Sequence, residues 1–231
     1  LESINPLTGI TTTRDTTIES TINELNFVRT FNMSVSASTK LYGVINPNIL
    51  GVESFRHTIL SSVAYNYQPD FANDAWGYYD SYTKSNGEVD RYDKYSGEVF
   101  GGVSSGQSQS LSFSLGNIFE MKMAKSATDT TKEQNKIQLL NLNASVGYNF
   151  AADSMKLSDL NLGYRTQIGD LLSFSGSSSY TFYDYVVTGK DGNGNDVYQR
   201  INQYLASNGK GLLRLTNFSF YLIILLNLNF L

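Results

Sequence analysis

Polar and apolar residues alternate strictly along several stretches of this chain. In residues 31–41 every odd position is apolar, small or β-branched, and every even position is polar. A period of two is typical of a β-strand with one apolar and one polar face. The same pattern recurs at 111–115, 140–150, 160–168 and 172–182. Most of these stretches reach the length of about 9–11 residues that a tilted strand needs to cross a bilayer, whereas strands are usually about 5–6 residues long.

The alternation predicts an all-β fold, an antiparallel transmembrane β-barrel of which this chain supplies about seven meandering strands. We expect a loop at 1–26, six strands with their loops at 27–184, a loop at 185–211 and a last strand at 212–231. The six strands are predicted at 27–43, 57–68, 107–123, 137–151, 158–168 and 171–184. Since single-chain bacterial barrels have even strand numbers, we expect both sheet edges to pair with strands outside this chain.

The first residues carry no sign of a secretory signal. The segment 1–6 has neither a basic start nor an apolar centre, and the chain begins without Met. We therefore interpret the whole chain as an internal piece of one barrel domain in a longer precursor.

The lengths of the loops predict which side of the membrane each one occupies. The connections at 44–56, 124–136 and 169–170 fall on one side, and those at 1–26, 70–106, 152–157 and 185–211 fall on the other. Bacterial barrels have short periplasmic turns and long outer loops, so the second group is predicted to be extracellular. Aromatic residues at the same strand ends form a predicted interfacial girdle. They are Phe27, Phe31, Tyr65, Tyr67, Tyr148, Phe150, Tyr180 and Phe182, with Phe119 the main aromatic residue at the opposite end.

The composition agrees with a membrane barrel and excludes several other classes. Charged residues make up 16% of the chain, against about 25% in typical soluble domains. The mean hydropathy of −0.24 is too polar for a helical membrane protein, but half of each barrel strand can face a polar lumen. The net charge of −4 argues against a nucleic-acid partner. The absence of Cys excludes disulfides and thiolate metal sites.

The predicted inward face carries mostly Ser and Asn side chains. Such short polar groups line water rather than a packed core, in which a soluble barrel of this size would need apolar residues. The inward set is Ser34, Ser36, Ser38, Ser112, Ser114, Asn141, Asn143, Ser145, Ser173, Ser175 and Ser177.

No combination of residues in the sequence indicates an enzyme, a cofactor or a metal site. His57 is the only histidine, so no second His or Cys can share a metal ion with it. We interpret His57, beside Arg56 at a strand start, as ordering the periplasmic turn through a hydrogen bond. Asp70 after Pro69 is predicted to form a turn by bonding its own backbone nearby. The run at 189–194 precedes no helix, so it is no phosphate loop, and it lacks the closing Glu of a calcium loop.

The C-terminal segment departs from the alternation. Residues 222–226 are apolar on both faces, and the run is far shorter than the roughly 20 residues of a membrane helix. Two interpretations stand: a strand buried on both sides, or a tail altered by truncation or frameshift. The second is favoured, because residues 215–220 show no such two-sided run.

Short motifs in a fixed order resemble the barrel of the LptD family, the lipopolysaccharide-assembly proteins of the outer membrane, in its Bacteroidetes-like and Chlorobi-like variant. The motifs lie at 38–43, 55–57, 67–71, 76–79, 101–106, 112–122 and 145–154. The residues within them that the resemblance marks as structural are Tyr42, Gly43, Arg56, His57, Pro69, Asp70 and Asp153.

The resemblance implies a barrel in the bacterial outer membrane that transports lipopolysaccharide and inserts it into the outer leaflet. In that family the sugar passes through a polar lumen and the molecule leaves sideways between strands. The implied partners are outer-membrane lipids, an LptE-like lipoprotein plug and a periplasmic transport bridge. Lys40, Lys122 and Arg165 are predicted to face the lumen, where they either pair with lipopolysaccharide phosphates or only solvate the lumen. The family's jellyroll domain and gate strands have no counterpart here, and the tail after Phe220 leaves the family pattern.

Two other functions stay open at this point. One is a passive porin or a TonB-type transporter, which would also be an outer-membrane barrel. The other is a soluble or surface-attached β-rich binding protein.

Overall fold

The computed structural model describes residues 2–13, 26–99, 101–124, 136–168 and 172–224. These residues form antiparallel β-sheets and two short 3-10 helices. None of the helices among them is long and apolar enough to cross a membrane. The strands are β1 Glu2–Ile4, β2 Thr11–Thr13, β3 Met33–Ile45, β4 Val52–Gln68, β5 Tyr79–Thr83, β6 Val89–Asp93, β7 Ser108–Met123, β8 Lys136–Asn149, β9 Leu160–Ile168, β10 Leu172–Thr181, β11 Tyr183–Lys190, β12 Asp196–Tyr204 and β13 Arg214–Ile224.

The largest sheet has seven strands in the order β13-β10-β9-β8-β7-β4-β3. The three other sheets are the hairpins β1–β2, β5–β6 and β11–β12. Strands that are neighbours in the large sheet follow one another along the chain, apart from the two hairpins inserted after β4 and β10. This is the meander that the alternation predicts, and its longest strands reach 17 and 16 residues in β4 and β7.

Within the described residues the large sheet is open, because β3 and β13 each have a neighbour on one side only. Successive strands of this sheet are antiparallel, so the first and the seventh strand run in the same direction. The edges of β3 and β13 therefore cannot complete an antiparallel ladder with each other.

The contacts divide the chain into two compact units. The first unit comprises residues 1–33 and 67–108, and the second comprises 34–66 and 109–231. The second unit holds most of the seven-stranded sheet and the hairpin β11–β12. The first unit holds the hairpins β1–β2 and β5–β6 and a small aromatic core.

The first unit contains structure where the sequence predicts loops. The predicted loop 1–26 contains the hairpin β1–β2, and the predicted loop 70–106 contains the hairpin β5–β6. A 3-10 helix spans Asp74–Trp76. Its N-cap residue is Asn73, whose side chain accepts a hydrogen bond from the backbone N–H of Ala75 at 3.0 Å. The sequences of β5 and β6, YDSYT and VDRYD, do not alternate strictly between apolar and polar residues, so the alternation misses them.

The first strand of the large sheet is shorter than predicted. It begins at Met33 and not at residue 27, so Phe27 and Phe31 lie outside it. The ring of Phe31 packs edge-on against Phe71 at 5.9 Å and Trp76 at 6.1 Å. Phe31 therefore packs, half-exposed, against aromatic residues of the first unit, and the prediction that it lies at the end of a strand is wrong. Alternation shows that a residue is apolar but not which partner it packs against.

The turn after β3 is also tighter than the predicted 44–56, because β3 continues to Ile45 and β4 begins at Val52. Asn48, Leu50 and Gly51 adopt positive φ angles of 49°, 53° and 79°. The predicted turns at 124–136 and 169–170 fall almost entirely outside the described residues.

The predicted loop 185–211 is a second inserted hairpin, β11–β12, followed by a 3-10 helix at Ala206–Asn208. The Gly- and Asn-rich run closes this hairpin: Oδ1 of Asp191 accepts hydrogen bonds from the backbone N–H groups of Asn193 and Asn195 at 2.9 and 2.8 Å. The side chain of Asn195 also donates to Asp191, and these bonds hold the pKa of the Asp191 carboxyl below its usual value. The prediction of a loop at 185–211 is therefore wrong, because strands form there and Asp and Asn side chains fix the turn between them.

The C-terminal segment continues as a regular strand as far as the structure describes it. In β13, Leu222 pairs with Phe174 and Ile224 with Leu172, in the register set by the earlier residues of the strand. Ile223, which produces the two-sided apolar run, pairs with Ser173. The sequence also favours a tail altered by truncation or frameshift. Beyond Ile224 this prediction falls on residues outside the described part of the chain.

Asp184 is the polar centre of the β11–β12 hairpin. Its side chain is 1% exposed, and its Oδ2 accepts hydrogen bonds from Nζ of Lys210 at 2.7 Å and from Nδ2 of Asn208 at 2.8 Å. These two bonds, with a further one from the backbone N–H of Tyr185, lower the pKa of Asp184 to about 2. The carboxylate thus ties the base of the hairpin to the 3-10 helix and to the residues after it.

We predict that the β11–β12 hairpin loses protection in acid. A lowered folded-state pKa means that ionised Asp184 stabilises the hairpin above the unfolded value of 3.8, and that this stabilisation is lost as the pH falls from about 4 to about 2. Amide hydrogen exchange of β12, corrected for intrinsic rates, is the measurement. Asp184→Asn should lower protection at pH 6 and flatten its acid dependence, whereas Asp196→Asn, which removes only an exposed 3.8 Å ion pair with Lys190, should not. Equal protection of the unmodified hairpin at pH 6 and pH 2 would contradict the role given to Asp184.

Candidate functional site: the polar face of the sheet

One face of the seven-stranded sheet is lined with hydroxyl and amide side chains. The register pairs Ser114 with Ser145, and Asn143 with Gly163. Because side chains alternate between faces, the polar residues of neighbouring strands lie beside one another on the same face. The predicted Ser and Asn set on β7, β8 and β10 is therefore brought together by the strand pairing.

These polar side chains bond to one another across the strands. The hydroxyls of Ser62 and Ser114 are 2.7 Å apart, on β4 and β7. Farther along the sheet, Ser179 donates to Oδ1 of Asn161 at 2.7 Å, and the hydroxyls of Ser177 and Ser219 are 2.9 Å apart. The Ser179–Asn161 bond joins β10 to β9, and the Ser177–Ser219 bond extends the polar face to β13.

The opposite face is apolar and carries an aromatic cluster. The rings of Tyr164 and Phe174 stack with centroids 5.8 Å apart, and Phe218 lies 6.3 Å from Tyr164. The ring of Tyr164 covers Gly176, where an added Cβ would meet the ring and would lie 2.6 Å from the backbone oxygen of Ser219. This close contact requires glycine at position 176 and pins the ring over β10.

Much of this apolar face is open to the surroundings. Phe218 is 55% exposed and Phe220 is 63% exposed. Contact between water and a contiguous apolar surface of this kind is unfavourable. Such a surface therefore marks a site of contact with a membrane or with a protein partner.

The polar face holds a shallow groove of about 500 Å³ across β3, β4, β7 and β8. Its polar lining comes from Ser38, Thr39, Lys40, Ser61, Ser62, Ser114, Asn143 and Ser145. Lys40 is its charged member, and no ion pair of Lys40 occurs among the described residues. The groove therefore offers hydroxyls, an amide and one cationic group.

The other two predicted basic residues lie elsewhere on the sheet. Arg165 on β9 pairs in register with Asn141 and Ser175, which places it on the polar face. Four strand spacings separate it from Lys40 on β3, a distance of about 19 Å. The described part of the chain contains no ion pair of Arg165. The two cations are therefore separate points on the same face and not a single cluster.

Lys122 differs from Lys40 and Arg165 because its ammonium group forms an ion pair with a carboxylate. Its Nζ lies 2.6 Å from Oε1 of Glu53, and the neighbouring pair of Arg56 and Glu120 has its closest atoms 2.5 Å apart. Both pairs join β4 to β7 near the turn at 46–51. Glu53 falls in the predicted turn 44–56, so the sequence gives no indication that it pairs with Lys122.

His57 occupies a different place from the predicted one. It is the sixth residue of β4, which begins at Val52, and it is not at the strand start. Its ring stacks on Phe119 with centroids 4.2 Å apart, and its Nε2 lies 3.1 Å from Oδ1 of Asn117. The hydrogen bond therefore joins β4 to β7 and does not order the turn, which is itself closed by backbone bonding from Val52 N–H to the oxygen of Ile49.

Asp70 connects two of the sequence motifs. Its Oδ1 accepts hydrogen bonds from the backbone N–H groups of Ala72 at 2.9 Å and Gly106 at 2.8 Å. The first is the local contact through which Asp forms turns, and the second holds the segment 101–106 against the turn after β4. The motifs at 67–71 and 101–106 thus meet at one carboxylate.

The remaining motif residues make no such connection in the described structure. Tyr42 and Gly43 lie on the edge strand β3, and Tyr42 is 71% exposed. Pro69 directly follows the end of β4, and Asp153 is exposed between β8 and β9. Across the described ranges, no group of three or more His, Asp or Glu side chains is placed to hold a metal ion.

A family model described as "LptD protein" matches residues 4–183. The chain belongs to the LptD family. The match confirms the resemblance that the motifs indicate, and it ends at the start of β11. No curated protein and no solved structure matches the chain.

LptD membership assigns the chain, in general terms, to lipopolysaccharide transport and assembly at the bacterial outer membrane. It also places the chain in a transport family and not in an enzyme family.

Proposed function

We propose that this LptD-family chain forms part of the wall of a transmembrane β-barrel that passes lipopolysaccharide to the outer leaflet. The observation that carries the proposal is the two-faced sheet of long strands. Its hydroxyl- and amide-lined face would line the lumen, and its exposed aromatic and aliphatic face would contact lipid. In membrane barrels, lumen-facing and lipid-facing residues alternate in this way.

Closure of such a barrel requires further strands. In a bilayer, every backbone N–H and C=O of the edges of β3 and β13 needs a partner. Because these two strands run in the same direction, an odd number of additional antiparallel strands is needed between them. We propose that other strands of the same barrel supply these partners.

The chemistry of the polar face suits the sugar part of lipopolysaccharide. Ser and Asn side chains donate and accept hydrogen bonds, and short polar side chains leave the lumen wide. Lys40 and Arg165 would pair with phosphate groups, since bonds between cations and phosphate oxygens are the strong ones. Lys122 is not expected to contribute, because Glu53 already occupies its ammonium group.

We further propose the partners that the family implies. These are surrounding outer-membrane lipids, a lipoprotein plug like LptE inside the barrel, and a periplasmic transport bridge that delivers the lipid.

Site-specific photocrosslinking in the native envelope tests the transport path. A photoreactive residue at Ser114 on the polar face should crosslink to lipopolysaccharide, and the crosslink should decay after lipopolysaccharide synthesis is stopped. The matched position is Val146 on the apolar face, whose crosslink to membrane lipid should persist. A crosslink at Ser114 that is absent, or that persists as at Val146, would contradict a transport path along this face.

The same assay separates the three basic residues. Lys40→Gln and Arg165→Gln should each lower the yield of the lipopolysaccharide crosslink at Ser114 by about tenfold. This is the effect on affinity of losing one charge-assisted hydrogen bond. Lys122→Gln is the control and should change it little.

We propose that the strand ends next to the two inserted hairpins are extracellular. The long connections 69–107 and 182–213 join strands at one end of the sheet, and the turn 46–51 lies at the other. Long loops mark the outer side of bacterial barrels.

Cysteine labelling tests this orientation, and the chain offers a clean background because it has no Cys. Cysteine at Asn86 or Asn193, in the turns of the two hairpins, should react with an impermeant thiol reagent on intact cells. Cysteine at Asn48 should react only after the outer membrane is permeabilised. Labelling of Asn48 alone on intact cells would invert the orientation.

A further inference from the structure

The first unit contains a small polar pocket. Its volume is about 280 Å³, close to the lower end of the range for small-molecule sites. It is lined by Thr30, Phe31, Asn32, Gln68, Phe71 and Ser104. None of these six residues is charged, and four of them carry a hydroxyl or an amide.

Aromatic rings form the apolar part of this pocket. Phe71 is 1% exposed, whereas Phe31 is 52% exposed. Trp76 supports both rings, with its centroid 5.2 Å from Phe71 and 6.1 Å from Phe31. A half-exposed phenyl ring beside polar groups gives a surface against which the C–H face of a ligand can pack.

The walls of the pocket are held in place by hydrogen bonds. The hydroxyl of Tyr78 accepts from the backbone N–H of Arg29 and donates to its carbonyl oxygen, both at 2.9 Å. These two hydrogen bonds to the backbone of Arg29 anchor the segment that carries Phe31. On the other side, Nε2 of Gln68 donates to the hydroxyl of Ser104 at 2.8 Å. A site that is ordered before binding loses less entropy when the ligand arrives.

Two polar side chains of the pocket, those of Asn32 and Thr30, are available for hydrogen bonds to a ligand. Among the described residues, the amide of Asn32 and the hydroxyl of Thr30 have no hydrogen-bond partner. An Asn amide offers two donors and an acceptor, and a Thr hydroxyl offers one donor and two acceptor sites. These groups lie next to the exposed face of Phe31 in the chain.

We propose that this pocket binds one ring of a neutral sugar. Amides and hydroxyls bond to sugar hydroxyls, and an aromatic ring packs against the sugar's C–H face. A phosphate or carboxylate ligand is disfavoured, since the lining supplies no Arg or Lys to pair with it. The proposal goes beyond the transport path, because the pocket belongs to the first unit and the path to the second.

The only Trp of the chain provides the measurement, because Trp76 packs against Phe31. The full-length barrel protein that contains this chain is purified in detergent micelles, and the fluorescence difference between it and its Trp76→Phe variant is followed during titration with maltose, N-acetylglucosamine and inorganic phosphate. The two sugars should give a saturable change and phosphate should give none. Saturation-transfer NMR of the sugar protons provides a second readout that does not depend on Trp76.

Matched variants assign the binding to the pocket. Asn32→Ala should weaken sugar affinity about fivefold, the effect of one lost neutral hydrogen bond. Asn86→Ala removes an exposed amide from the β5–β6 turn and should leave the affinity unchanged. Near-UV circular dichroism checks that each variant keeps the aromatic core. The proposal is overturned if neither sugar gives a saturable signal in both readouts, or if the two variants weaken binding equally. Either result leaves the crosslinking test of the transport path unaffected.

Discussion

The register between neighbouring strands is the constraint on which both faces of the sheet depend. Side chains alternate with a period of two, so a slip of one residue would exchange the faces of a whole strand. In the β7–β8 pair such a slip would place Ser145 among apolar residues and Val146 among hydroxyls. A polar groove and an apolar outer surface can therefore coexist only while the ladder keeps its register.

Several specific contacts oppose such a slip. On the polar face, the Ser62–Ser114 bond and the Arg56–Glu120 pair each join a defined position of β4 to one of β7. On the apolar face, the ring of Tyr164 fits over the glycine at position 176. In the β7–β8 and β10–β13 ladders, the register shifts at Phe119/Glu120 and at Ser179/Tyr180 lie towards the ends of the paired strands. The β7–β8 ladder stays regular from Ser110 to Phe119, and this part of it contributes Ser114, Asn143 and Ser145 to the groove.

The sequence predicts the long strands well because alternation is a strong signal over ten or more residues. β7 spans Ser108–Met123, within one residue of the predicted 107–123, and β8 spans Lys136–Asn149 against a predicted 137–151. The short hairpins β5–β6 and β11–β12 were beyond this signal, since their order comes from turn-forming Asp and Asn side chains. Phe31 shows the other limit: alternation marks it as apolar, but its packing against Phe71 depends on a residue far along the chain.

The candidate site was predictable in part for the same reason. The face on which the Ser and Asn residues lie follows from their positions along each strand. The difference between Lys122 and the two other basic residues does not, because Glu53 comes from a segment whose strand begins earlier than the sequence indicates. The stacking of His57 on Phe119 likewise required knowledge of which strands are neighbours.

The most direct test of the two-faced sheet is nitroxide accessibility along β8 in the membrane-inserted protein. Single cysteines at 142–147 need no other change within residues 1–231, because these residues include no Cys. Oxygen, which concentrates in the bilayer, and a water-soluble nickel complex are used as collision partners. The account predicts that the two accessibilities alternate with a period of two and out of phase, with Ser145 favouring nickel and Val146 favouring oxygen. Accessibilities that rise and fall together, or that show no alternation, would contradict it.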